Sequence, residues 1–139
     1  MKAYRKNAVG ILLVILVSIV LLSLGCETWE KTKEGTGGAY HWTMGELSRE
    51  YAVTFDDAWN ASVQAVKSLE LEIAGFTRDE LGGEMHVARG DGREMTILLK
   101  SLGINLTQVV VHFGVFRDRT ACERVHETIL ETLQSSGKI

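Results

Sequence analysis

Met85-His86-Val87-Ala88-Arg89-Gly90-Asp91-Gly92-Arg93-Glu94-Met95-Thr96-Ile97-Leu98-Leu99 decides the fold. Met85 and Val87 before the glycines, and Met95, Ile97 and Leu99 after them, recur at every second residue. That is the period of a strand with one buried face. Gly90-Asp91-Gly92 between the two runs signals a hairpin, because an Asp-Gly pair reaches the positive φ that tight hairpin turns require. Strands joined so closely pair antiparallel.

Downstream of the hairpin, Gly103 and Asn105 mark a further turn. Thr107 to Phe116 (Thr-Gln-Val-Val-Val-His-Phe-Gly-Val-Phe) is the strongest strand former in the chain. Upstream of the hairpin, Leu71, Ile73 and Phe76 lie in a run that closes at Asp79-Glu80-Leu81-Gly82-Gly83. Earlier still, Leu47, Arg49, Tyr51, Val53 and Phe55 alternate with polar or small residues, which predicts a half-buried strand from Glu46. Thr54-Phe55-Asp56-Asp57 resembles a capping box. The helix it opens carries an apolar stripe at Phe55, Trp59, Val63, Val66 and Leu69. Asp118 caps a last helix with the stripe Cys122, Val125, Ile129 and Leu133, ended by Ser135-Ser136-Gly137. The order is β-α-β-β-β-β-α. This predicts an α+β domain: an antiparallel sheet of about five strands with two helices packed on one face.

The N-terminal third has a different character. Lys2, Arg5 and Lys6 form a basic head, and Ala8 to Leu24 follows without a charge. That is the pattern of an export signal, although its length also suits an uncleaved membrane-anchor helix, and both readings send the rest of the chain outward. Ser23-Leu24-Gly25-Cys26 resembles a bacterial lipobox, whose cysteine is acylated and becomes the mature N-terminus. Gly25 and Cys26 match that pattern; Ser23 and Leu24 depart from it. Acyl chains in plural give stable attachment. Glu27 after the cysteine, where Asp would stand for inner-membrane retention, implies the outer membrane by the same resemblance. The polar, then Gly-rich stretch from Glu27 reads as a flexible spacer. The expected organisation is therefore a signal over 1–25, a tether over 26–44 and the α+β domain over 45–139, in the bacterial envelope.

Composition excludes several classes. Residues 1–25 hold three of the 15 Lys+Arg and none of the 18 Asp+Glu, so without them the formal charge falls from −3 to −6. So acidic a body is repelled by phosphate backbones, and nucleic-acid binding is not expected. The 2 cysteines, Cys26 and Cys122, make no CxxC or ligand spacing; Cys122 reads as a small buried hydrophobe. His41, His86, His112 and His126 are not at metal-ligand spacing. In a meander, His86 and His112 share the polar sheet face with one strand between them, about 9.5 Å apart, too far for one small ion without another ligand. Asp56-Asp57 are explained by helix capping, and Trp59 by the core. No cofactor, metal or catalytic set is expected, and the chain does not read as an enzyme.

Gly45-Glu46-Leu47, Tyr51 through Phe55-Asp56-Asp57-Ala58-Trp59, Leu81-Gly82-Gly83, Asp91-Gly92 and Gly114-Val115-Phe116 resemble a family of small bacterial lipoproteins built around a domain of unknown function. The likeness runs from Cys26 to the last helix. It implies a lipoprotein with an α+β domain and brings no activity with it.

If the helices cover the face carrying Met85, Val87, Met95, Ile97 and Leu99, the other face holds Phe76, Leu98 and Val110 among polar residues. A semi-apolar open sheet face suits a contact surface for an envelope protein or a second copy. A small-molecule or lipid carrier, with a pocket between the sheet and the last helix, is the alternative.

Overall fold

The computed structural model describes residues 38–115 and 117–139. The signal or anchor over 1–25, the lipid site at Cys26, tether residues 27–37 and Phe116 lie outside the described residues. The described elements are β1 (His41–Thr43), β2 (Glu46–Tyr51), α1 (Phe55–Ser68), β3 (Glu72–Arg78), β4 (Gly82–Ala88), β5 (Glu94–Gly103), β6 (Leu106–His112) and α2 (Arg119–Ser135). The strands form one open antiparallel sheet in the order β1-β2-β6-β5-β4-β3.

The alternation read from the sequence sets which side is buried. Leu47, Val111, Ile97 and Met85 are successive cross-strand partners on β2, β6, β5 and β4, and none is exposed. Both helices pack on that side. α1 presents Ala58, Trp59, Ala61, Ala65 and Val66, and α2 presents Cys122, Val125, Ile129 and Leu133. Each fully buried aliphatic side chain contributes roughly 1.5–3 kcal/mol of transfer free energy. The helix starts follow their caps: Thr54 Oγ1 accepts from Asp57 N–H at 3.2 Å, and the Asp118 carboxylate accepts from Ala121 N–H at 3.0 Å. Cβ-less Gly83 lets the Trp59 ring lie directly on β4; a methyl there would overlap the indole.

The sheet departs from the sequence reading in three places. Among the described residues it has six strands, not about five, because His41-Trp42-Thr43 in the expected tether supplies the edge strand β1. Met44 and Gly45, both at positive φ (53° and 94°), make the two-residue turn into β2. That is the backbone of a type I′ hairpin, here with Met where Asn or Asp is usual. At the β4–β5 hairpin only Gly92 is at positive φ, 82°. Gly92 N–H donates to Arg89 O at 2.9 Å, so the turn lies over Gly90 and Asp91 and Gly92 follows it as a bulge. In β3 the register slips between Ile73 and Gly75, leaving Ala74 as an extra residue.

Candidate functional site

The slip in β3 relocates one expected site residue. Phe76 does not join Leu98 and Val110. The bulge turns it to the helix side, opposite Met85, where its ring meets Trp59 edge-on at 5.8 Å between centroids. It remains 64% exposed because β3 is the sheet edge. Leu98 and Val110 do come together, as direct partners across β5 and β6 on the side away from the helices.

Around that pair the open face is polar. The row runs Ser48, Val110, Leu98, Glu84 and Thr77 across β2, β6, β5, β4 and β3. The next row toward the β5–β6 turn carries Glu50, Gln108 and Lys100. Thr77, Glu84, Leu98, Lys100, Gln108 and Val110 help line a shallow groove of about 550 Å³. A groove with an aliphatic floor and hydrogen-bonding side chains of both signs on its rim can take an extended apolar segment flanked by polar groups.

The histidines fall largely as the meander requires. His112 on β6, Thr96 on β5 and His86 on β4 form one row, so a single strand separates the two rings. His41 lies on the same side, opposite Ser48. The rings face carboxylates, His86 Nε2 at 3.5 Å from Glu84 and His112 Nδ1 at 4.0 Å from Glu46. Among the described residues no group of three or more His, Cys, Asp or Glu side chains could hold a metal ion.

The shifted titrations are on the other side of the sheet, in a network that the sequence reading missed. His126 is fully buried between α2 and β2. Its Nε2 lies 2.9 Å from Leu47 O, and because a carbonyl only accepts, Nε2 carries the proton. Nδ1 then accepts from the Tyr51 hydroxyl at 2.9 Å, which also reaches His126 O at 3.1 Å. Arg49, buried in the same sheet row as Val109 and Leu99, donates to Tyr40 Oη at 3.0 Å and lies over the Tyr40 ring at 4.7 Å. Burial is the largest cause holding the His126 ring neutral, lowering its pKa to about 4, and it pushes the Tyr51 phenol well up. The arrangement ties strand to helix through neutral hydrogen bonds. Its signal was in the sequence: His126 stands beside Val125 in the buried stripe of α2, and Arg49 and Tyr51 occupy inward positions of β2. Cys122 is buried too, its thiol pushed up to about 11 by burial first and by Asp118 and Glu123 next.

Two further hollows lie at the ends of the helices. One, of about 590 Å³, opens beside the start of α1 and includes Asp56, Arg78 and Ile104. Its cation is engaged, since Arg78 pairs with Asp56 and lies 5.2 Å over both the Phe55 and Trp59 rings. The other, of about 280 Å³, lies between the end of α1 and the start of α2. Leu69, Leu71, Phe113 and Val125 form its apolar lining, and Arg89 and Arg124 stand beside them.

A family described as "Protein of unknown function (DUF3568)" matches residues 10–132, most of the chain. No curated protein matches it.

Proposed function

We propose, from the premise that the chain belongs to the DUF3568 family, that it is an envelope lipoprotein held to the membrane by lipid on Cys26 and carrying a non-catalytic docking domain. The uncleaved N-terminal helix stays open as the other form of anchor. On this reading the domain faces the periplasm from the outer membrane, and another envelope protein or a second copy lies across the open sheet face. The observation that carries the docking role is the groove floored by Leu98 and Val110, on the side of the sheet that neither helix covers. Hydrophobic floor with polar rim is the anatomy of a protein contact.

The test is photocrosslinking in native membranes, with a benzoylphenylalanine placed at position 98 of the full chain and, separately, at position 44. A discrete adduct from 98 that is absent from 44 and lost with Val110→Asp supports the reading. Equal labelling from both positions, or none from 98, removes it.

The 280 Å³ hollow supports a second reading, a carrier of small apolar ligands with an anionic group that Arg89 or Arg124 would meet. It expects a ligand to co-purify, and a native mass spectrum of bare protein would end it.

A further inference from the structure

One end of the sheet collects exposed aliphatic side chains on two neighbouring turns. Leu81, 74% exposed, sits in the β3–β4 turn, and Leu102 and Ile104, 42% and 90% exposed, sit where β5 turns into β6. Ser101 N–H donates to Leu81 O at 2.8 Å, tying the two turns together. The chain comes into the domain at the same end. Gly38 N–H donates to Glu50 O at 2.8 Å, and the adjacent Tyr51 pairs with Thr107, at the beginning of β6. α2 also finishes there, with Lys138 Nζ 3.2 Å from the Asp57 carboxylate in the first turn of α1.

From these placements we infer that the Leu81, Leu102 and Ile104 end is the face the domain turns to the lipid surface. The inference rests on the anchored reading proposed above and adds the orientation of the domain to it. Eleven residues, 27–37, separate the lipidated cysteine from Gly38. Read from its composition as a flexible spacer, a stretch of that length would have a root-mean-square reach of about 20 Å. β5, with 10 residues, is about 33 Å long at the usual strand rise. The spacer therefore holds the end where the chain comes in closer to the bilayer than the far end, which carries Met44 and Val115. Bare aliphatic tips gain by entering the interfacial region; Met44 and Val115 at the far end are bare as well, so the point where the chain comes in decides which end does so.

The charges permit it on zwitterionic lipid. Asp79 accepts from Leu81 N–H and Gly82 N–H within its own turn, and Asp56 is paired with Arg78. Glu80 in the same turn adds a negative charge, so contact weakens on anionic lipid.

The test uses the full lipidated chain in phosphatidylcholine nanodiscs doped with a lipid bearing a headgroup nitroxide. Amide signals of Leu81, Leu102 and Ile104 should be lost while those of Met44 and Val115 persist. A variant with Leu81→Ser, Leu102→Ser and Ile104→Ser, all at exposed positions, should recover the lost signals. Equal loss at both ends, or greater loss at Met44 and Val115, overturns the orientation and leaves the anchor standing. A full chain that does not enter the nanodiscs overturns the anchored reading and the orientation with it.

Discussion

The same strands build two faces of different character. On the helix side, Leu47, Met85, Ile97 and Val111 are sealed, and the polar groups among them, Arg49, Tyr51 and His126, are held by hydrogen bonds or stacking. On the other side, Leu98 and Val110 lie open among Glu84, Lys100, Gln108 and three histidines that keep contact with solvent. Burial converts a titratable group into a structural one, because desolvation removes its charge and fixed partners remove its freedom. Exposure leaves groups free to meet something else. Helix-side substitutions should therefore cost stability, and open-face substitutions should cost contact.

The largest break of that contrast comes from Ile97→Ala. It leaves a hole in the innermost row, and denaturant unfolding should show a loss of about 2–5 kcal/mol. Acid should act next. With His126 near 4 when folded against an unfolded histidine near 6.5, the unfolded chain binds the extra proton. Stability is then full above about pH 6.5 and falls as pH drops toward 4, by about 3 kcal/mol in all. Melts at pH 7 and pH 4.5 measure it, and His126→Gln should flatten that part of the profile. Tyr51→Phe keeps the ring and removes the proton that His126 Nδ1 accepts, for about 1–3 kcal/mol. Smallest is Val110→Asp on the open face, at about 1 kcal/mol or less, a strand-propensity effect with no cavity.

The legible parts of the fold were those with a repeating physical signal. Alternation through Met85, Val87, Met95, Ile97 and Leu99 determines which face is buried, and the caps Thr54 and Asp118 fix both helix starts. The parts that were not legible lack a repeat. A three-residue strand turned by Met44-Gly45 has too few residues to show a period. The single extra residue Ala74 inverts everything after it in β3, which is why Phe76 left the open face; Leu98 and Val110 stayed, because the slip in their own strand pair comes later, between Ser101 and Gly103. Arg49 and His126 read as surface residues by type and as core residues by position. Position decided, because each found partners there.

The most direct test of the contrast measures stability and crosslink yield on the same two variants, Val110→Asp and Ile97→Ala, each with the photoreactive residue at 98. Val110→Asp should melt close to the parent and lose the adduct, whereas Ile97→Ala should melt far lower and, below its transition, still form it. An adduct that survives Val110→Asp, or disappears in folded Ile97→Ala, would contradict the division of labour between the two faces.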